Sequence, residues 1–358
     1  MNDTADILFE RRGAAGLVTL NRPQALNAVT LGMVRVFMRQ LVAWQDDPSI
    51  TRVVVSAAGG RAFSAGGDIR ALYDLGRAKR YAEMLPFWRE EYVLNTMIKN
   101  YPKPYVALID GIVMGGGVGL SVHGSHRVAG DRFLFAMPEV SIGFFPDVGA
   151  TWFLPRLPGE LGAYCALTGE RVGAADAVAA TIATHRVSSS RFGDLADALC
   201  GAVSVDATLA AFAEPAGEGK LAALRPAIDR LFRGARVEDI LAGLDVAATD
   251  GADAAFAKAT AAGIRTKSPT SLKLALAQMR AGAALSFEAC MQTEFRIVSR
   301  IIHGHDFYEG VRAVIVDKDN APLWQPAALA EVSDAEIARH FAPLARDDEW
   351  AMPDPDGT

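Results

Sequence analysis

The chain has 358 residues, of which 51% are hydrophobic and 22% are charged, and its formal net charge is −6. This length allows one large domain or two smaller ones, each able to bury a core. The negative charge argues against a broad surface for nucleic acid or anionic lipid, because such surfaces need an excess of lysine and arginine.

The N-terminal residues 1–13 are acidic and lack both the apolar core of a signal peptide and an arginine-rich transit pattern. No apolar run approaches the ~20 residues that cross a membrane. The cysteines Cys165, Cys200 and Cys290 lie far apart, without metal-ligand spacing, and such sparse thiols suit a reducing compartment. The sequence therefore predicts a soluble, cytoplasmic protein.

Short apolar segments at residues 17–20, 53–55 and 106–109 predict buried strands. The second and third are each followed by a glycine-rich loop, and these loops end at Gly67 and Gly117. Each loop leads toward a helical pattern. Strands that alternate with helices predict an α/β fold with the strands in central layers.

Helical periodicity is clearest at residues 30–44, 81–100, 161–168, 271–279 and 287–302. An alanine-rich region at residues 174–262 has helical patterning but no motif. Because strands give way to helices near residue 200, we expect a core over residues 1–200 and a helical C-terminal region over residues 201–345. Residues 346–358, with several Asp and Pro, are expected to form a disordered tail.

Three consecutive glycines, Gly115 to Gly117, let peptide N–H groups approach a ligand closely, although a tight strand-to-helix turn would also use them. The dinucleotide pattern G-x-G-x-x-G fails, because its third glycine falls on Leu120. The nucleophile elbow G-x-S-x-G has Ser121 but ends in His123, so a serine hydrolase is only a weak alternative.

The loop that ends at Gly67 gives these glycines a partner. Two glycine-rich turns, each after a buried strand, could place one N–H apiece around a single oxygen, which is the requirement for an oxyanion hole. Asp68, the next residue, is better explained as a helix N-cap than as a catalyst.

Two acids lie in apolar sequence. Glu139 follows Met137-Pro138, and a carboxylate in such surroundings loses solvation, which raises its pKa toward that of a general base. It could also attack a carbonyl directly, or be a surface residue of an edge strand. Asp147 could be a turn or cap residue. Glu91, judged alone, fits the solvated face of a charged helix.

At these residues the chain resembles the crotonase (enoyl-CoA hydratase/isomerase) superfamily. The resemblance is strong over residues 15–185 and 265–326 and weak elsewhere. It is carried by residues 21–28, 61–70, 87–92, 103–108, 111–124, 135–139, 143–149, 153–157, 268–273 and 304–319.

The resemblance implies a spiral of β-β-α turns that binds acyl-CoA, with Gly67 and Gly116 as the two oxyanion donors. Hydratases of the superfamily usually carry one catalytic glutamate where this chain has Gly119 and a second at the position of Glu139. This chain keeps only the second and adds Asp147. That arrangement matches the hydrolase branch of the superfamily.

In that branch the expected substrate-contacting residues are Glu91, Gly116, Glu139 and Asp147. The implied reaction is hydrolysis of the thioester of 3-hydroxyisobutyryl-CoA to 3-hydroxyisobutyrate and CoA, a step of valine degradation, with no metal or redox cofactor. The implied partner is an acyl-CoA, with no nucleic acid and no membrane. Enoyl-CoA hydratase/isomerase activity and a non-catalytic acyl-CoA-binding role remain the alternatives.

Two further features stay open at this point. Arg22, Lys103 and Lys318 are candidates to meet the CoA phosphates, without a ranking. Superfamily members commonly form trimers or pairs of trimers, so a homo-oligomer is expected unless the C-terminal segments fold back over their own core.

Overall fold

Two β-sheets carry all the strands within residues 6–353, the part of the chain that this computed structural model describes. The six-stranded sheet has the order β1-β2-β3-β5-β7-β10, and the four-stranded sheet has the order β4-β6-β8-β9. The strands are β1 (Ile7–Arg12), β2 (Ala15–Leu20), β3 (Arg52–Ala57), β4 (Ala62–Ser64), β5 (Tyr105–Ile109), β6 (Ile112–Met114), β7 (His126–Ala129), β8 (Leu134–Ala136), β9 (Val172–Gly173) and β10 (His185–Arg186).

From β3 to β8, successive strands alternate between the two sheets. β3, β5 and β7 lie in the large sheet, and the strand that follows each of them, β4, β6 and β8, lies in the small one. Pairing is parallel except at the ends, where β1 pairs with β2 and β8 pairs with β9 in antiparallel fashion. This repeated β-β-α turn confirms the predicted α/β spiral.

The predicted strands are confirmed as β2, β3 and β5, whereas the strands of the small sheet went unpredicted because most of them are only three residues long. In the large sheet, side chains of the central strands form a core with the helices Phe192–Leu199 and Val205–Phe212. The buried residues of this core are Ala15, Leu17, Val54, Val106, Leu108, Val128, Val187, Leu195, Leu199, Cys200, Val205 and Leu209.

The predicted helices are confirmed, and so is the helical patterning of the alanine-rich region. The helices are Leu31–Asp46, Ile69–Arg77, Tyr81–Lys99, Gly116–Gly119, Ala150–Phe153, Leu161–Thr168, Ala174–Ala179, Phe192–Leu199, Val205–Phe212, Lys220–Leu231, Val237–Ala247, Ala254–Arg265, Pro269–Gly282, Phe287–Ile301, His305–Val311 and Asp334–Phe341. None of these helices is long and apolar enough to cross a membrane.

The chain divides into two units that are interleaved in sequence. Unit 1 is Met1–Asp68, Glu90–Ala136 and Arg171–Lys220, and it contains both sheets. Unit 2 is Ile69–Arg89, Met137–Glu170 and Leu221–Thr358, and it is helical. The boundary expected near residue 200 stays a prediction.

The predicted disordered tail is described as far as residue 353, and its residues 354–358 lie outside the described part. Within unit 2, Trp350 is 1% exposed, and its indole Nε1 donates to the Arg89 carbonyl at 3.1 Å. Arg296 forms an ion pair with Glu349 at 2.9 Å. Disorder therefore does not begin at residue 346, because this segment is anchored by a buried indole.

Candidate functional site

The two glycine-rich loops that the sequence singled out lie side by side in unit 1. Val29 N–H donates to the Gly66 carbonyl at 2.8 Å, and Asp68 N–H donates to the Val29 carbonyl at 2.9 Å. These two hydrogen bonds use the Gly66 carbonyl and the Asp68 N–H, and they do not involve the N–H of Gly67 between them. Gly66 has φ +115°, a conformation open mainly to glycine, and it turns the chain at this point.

The second loop ends in a single helical turn, Gly116–Gly119, so the N–H of Gly116 has no acceptor within that turn. A Cβ built on Gly116 would lie 3.2 Å from the Gly67 nitrogen, and one built on Gly66 would lie 3.7 Å from the Gly116 nitrogen. Neither of these two N–H groups donates a hydrogen bond to a backbone carbonyl among residues 6–353. Two neighbouring N–H groups without a backbone acceptor are what an oxyanion hole requires.

The side chain of Glu91 lies close to Gly116. It lies on the helix Tyr81–Lys99 and is 1% exposed, so its interpretation as part of a solvated face is wrong. Its Oε1 would be only 2.5 Å from a Cβ at Gly116. The neighbouring Glu90 is the residue that faces outward, and it pairs with Arg35 at 2.6 Å.

Several other candidates in unit 1 have structural partners. The Ser121 hydroxyl is 2% exposed and donates to the Gly117 carbonyl at 2.8 Å, one turn earlier. Arg22 pairs with Asp68 at 3.1 Å. The ammonium of Lys103 lies 2.7 Å from the Asp47 carbonyl. The Ser121 hydroxyl is thus bonded back to the preceding helical turn Gly116–Gly119 rather than placed as a nucleophile.

Glu139 lies in unit 2 at the start of the 3₁₀ helix Glu139–Ile142 and not on an edge strand. Its side chain is 6% exposed, and its Oε2 has no hydrogen-bond partner among the described residues. Burial raises its pKa well above the ordinary value, and the nearby charge of Asp147 raises it further. An ionised Glu139 is therefore a stronger base than an exposed glutamate.

Asp147 is 5% exposed and precedes the one-turn helix Ala150–Phe153. The next residue, Val148, has φ +53°, and Gly149 has φ +88°. A β-branched residue in the left-handed region is strained, so this turn depends on the contacts around it.

Two of those contacts come from Glu294, which the sequence interpretation missed. Glu294 is fully buried on the helix Phe287–Ile301, and its two carboxylate oxygens accept from Gly149 N–H at 2.8 Å and Thr151 N–H at 2.9 Å. Burial, followed by the charge of Asp147, raises the pKa of Glu294 to about 8.

A sequence signal for Glu294 did exist. Residues 287, 290, 291, 293, 294, 295, 297, 298 and 301 of this helix are buried, and all of them except Thr293 and Glu294 are apolar. A carboxylate within an apolar stripe predicts a buried, hydrogen-bonded acid, because an unpaired charge there is costly.

Metal-binding side chains do not cluster in the part of the chain that the structure describes. No group of three or more His, Cys, Asp or Glu side chains suited to a metal occurs within residues 6–353. His303 lies against the Tyr81 ring at 4.2 Å between centroids, and His305 contacts Asp306 at 3.2 Å.

Comparison with known proteins finds a matching family and several similar proteins. The family model described as Enoyl-CoA hydratase/isomerase matches residues 15–341. A Danio rerio protein named "3-hydroxyisobutyryl-CoA hydrolase, mitochondrial" is 46% identical over 353 residues, covering 95% of this chain and 90% of its own. A Homo sapiens protein of the same name is 43% identical, covering 96% of this chain and 90% of its own. A crystal structure titled as a carnitinyl-CoA dehydratase from Mycobacterium thermoresistibile matches with a TM-score of 0.90 at 43% identity, covering 97% of this chain and 98% of that one.

These names correct one prediction. The sequence predicted a cytoplasmic protein, whereas the Danio rerio and Homo sapiens relatives are both named as mitochondrial, and this contradicts the cytoplasmic prediction. The prediction was wrong because composition and sparse thiols indicate a reducing aqueous compartment without distinguishing one such compartment from another.

Proposed function

We propose that this chain, which belongs to the enoyl-CoA hydratase/isomerase family, hydrolyses the thioester of 3-hydroxyisobutyryl-CoA. The products would be 3-hydroxyisobutyrate and CoA, as in valine degradation. Relatives that are 43% and 46% identical carry this activity in their names.

The observation that carries the proposal is the set of acids. Glu139 is buried with a raised pKa, and Gly119 stands where the hydratase pattern has its other glutamate. Hydration of an enoyl thioester requires protons to be managed at two centres, the attacking water and the α-carbon. Hydrolysis requires one base at the water, so a single glutamate with a raised pKa fits hydrolysis better than hydration.

The polarising groups in this proposal are the N–H groups of Gly67 and Gly116. They would donate to the thioester oxygen as the carbonyl carbon becomes tetrahedral and negative charge collects on that oxygen. Loss of one such donor typically costs ~10²–10³ in rate. Their closeness in unit 1 supports this assignment.

The group that moves the proton is Glu139. In the general-base route, Glu139 takes a proton from water as the water oxygen attacks the carbonyl carbon. The intermediate then collapses, the C–S bond breaks, and the proton passes to the CoA sulfur. In the covalent route, the Glu139 carboxylate attacks the carbonyl carbon first and CoA leaves as the thiolate. Water then opens the resulting anhydride, which restores the Glu139 carboxylate and releases the proton that the CoA sulfur takes up.

A single turnover in ¹⁸O-labelled water identifies the covalent route when Glu139 itself becomes labelled. Label in the peptide that contains Glu139 requires the covalent route with water attacking the glutamyl carbon. Label confined to the product is expected from the general-base route.

Asp147 and Glu91 are assigned to the substrate hydroxyl or to the attacking water. Both are carboxylates almost completely removed from solvent, at 5% and 1% exposure. A buried polar group that is matched to a substrate hydroxyl rejects substrates lacking it, because its hydrogen bond is then unmade. This would give the enzyme its preference for hydroxyacyl groups. No metal or redox cofactor is required by these steps.

The test is a thiol-release assay over a panel of acyl-CoAs, run beside the absorbance of crotonyl-CoA. We expect rapid release of CoA from 3-hydroxyisobutyryl-CoA, slower release from isobutyryl-CoA, and no loss of crotonyl absorbance. Loss of that absorbance without thiol release would favour hydration instead. Tight binding of acyl-CoA with neither change would make the chain a non-catalytic binding protein.

A further inference from the structure

The turn that carries Asp147 is held by two buried polar side chains from a distant part of unit 2. Glu294 is on the helix Phe287–Ile301, and Gln278 is on the helix Pro269–Gly282. Both are 0% exposed. Neither has a role in the reaction steps described above, and burying such polar groups is costly unless they bond specific partners.

The two side chains bind the same short turn at both of its ends. Gln278 Nε2 donates to the Pro146 carbonyl at 3.0 Å and to the Thr151 hydroxyl at 2.9 Å. Glu294 accepts from Gly149 N–H at 2.8 Å and from Thr151 N–H at 2.9 Å. Asp147 therefore lies inside a segment that is fixed on either side of it.

The backbone of this turn is strained, and the hydrogen bonds from Glu294 and Gln278 hold it in that conformation. Val148, next to Asp147, has φ +53°, which a β-branched residue adopts only when its surroundings impose it. The helix backbone also approaches the turn closely, since a Cβ built on Gly282 would lie 1.8 Å from the Thr151 carbonyl oxygen. A relaxed turn would move the Asp147 carboxylate.

We propose that Glu294 and Gln278 are positioning residues that hold the strained turn around Val148, and with it Asp147, in the geometry used by the reaction. This inference rests on the proposed thioesterase activity and on the role assigned there to Asp147. Glu294 touches no reacting atom in this proposal and acts only through the turn.

The test is a double-mutant cycle on kcat/KM, measured by thiol release with 3-hydroxyisobutyryl-CoA and isobutyryl-CoA. The variants are Glu294→Gln, Asp147→Asn and the two combined. Glutamine at 294 keeps one acceptor but turns an amide donor toward a peptide N–H. Misplacement of a catalytic group costs on the order of 10²-fold. We expect a loss of that size on the hydroxylated ester and a much smaller loss on the plain one.

The variant that combines Glu294→Gln with Asp147→Asn distinguishes a positioning role of Glu294 from a purely structural one. If Glu294 acts through Asp147, adding Glu294→Gln to Asp147→Asn costs less than about threefold more, because coupled residues are not additive. If the two losses multiply, Glu294 is only structural and the inference is overturned. Glu288→Gln, at an exposed position of the same helix, is the matched control and should leave kcat/KM unchanged.

Two further outcomes are interpretable. If Glu294→Gln does not fold, the same cycle is run with Gln278→Leu, which removes both donors to the turn, and the same two results apply. If the wild-type chain releases no thiol from either ester, the proposed function fails and this positioning role falls with it. An active wild type with multiplying losses overturns the positioning role alone.

Discussion

The carboxylate of Glu91 lies directly against the α-carbon of Gly116, so that a Cβ on this glycine would stand 2.5 Å from Glu91 Oε1. The same Cβ would lie 3.2 Å from the Gly67 nitrogen. A side chain at residue 116 would thus enter the space between a buried acid and the neighbouring peptide N–H. Residue 116 is therefore a glycine because Glu91 and the Gly67 loop approach it too closely for a side chain, and not because its φ angle requires a glycine.

Gly116→Ala tests this relationship. The added methyl group must displace Glu91 or the Gly67 loop, so we expect kcat/KM for thiol release to fall on the order of 10²-fold. The control is Gly193→Ala on the helix Phe192–Leu199, where a Cβ meets nothing within 4 Å. Comparable activity in both variants would show that the two amides are not used as a pair.

Glu139→Gln removes the proposed base or nucleophile while keeping the shape of the side chain. Because general-base catalysis contributes typically ~10²–10⁴-fold, we expect a fall of that size in kcat. The affinity for acyl-CoA, measured by calorimetry, should survive. Glu170→Gln, an exposed glutamate of the same unit, serves as the control. Near-normal turnover of the Glu139 variant would remove this residue from the mechanism.

Asp147→Asn should reduce activity on hydroxylated substrates more than on plain acyl-CoAs. The amide retains a similar shape but lacks the charge that accepts from a substrate hydroxyl, so the preference for the hydroxylated ester should narrow. The measurement is the ratio of kcat/KM for 3-hydroxyisobutyryl-CoA to that for isobutyryl-CoA. An equal loss on both esters would assign Asp147 to the general chemistry of the reaction.

The raised pKa of Glu294 predicts a pH dependence of stability. Its pKa is about 8 in the folded protein against an ordinary 4.5, so the folded state holds a proton that the unfolded state has lost. The stability that Glu294 contributes is therefore fully present below about pH 4.5 and is lost as the pH rises through about 8.

Glu294→Gln cannot titrate, so the wild type should lose free energy of unfolding relative to this variant between about pH 5 and about pH 9. Urea unfolding of both proteins at several pH values provides the measurement. Glu294 also raises the pKa values of Glu139 and Cys290, so the difference isolates residue 294 together with its effect on these two groups. A pH-independent difference would show that Glu294 keeps an ordinary pKa.

Much of the local structure was predictable because its signals lie within a few residues of each other. Thr30 and Ser268 cap helices that the sequence predicted, accepting from Met33 N–H at 3.2 Å and Ser271 N–H at 3.1 Å. The helix Leu161–Thr168 has the predicted ends. Periodicity and capping are properties of one segment, so a sequence displays them directly.

By itself the sequence determined the α/β spiral, the family and the candidates Gly67, Gly116, Glu139 and Asp147, because motifs and buried strands are contiguous. Only the tertiary structure decided that Glu91 is buried, since a charged helix does not reveal which face meets Gly116. Only the tertiary structure brought Glu294 to the Asp147 turn, across 145 residues between Gly149 and its acceptor. Long-range hydrogen bonds of this kind depend on how helices pack, and no local pattern records which two segments will meet.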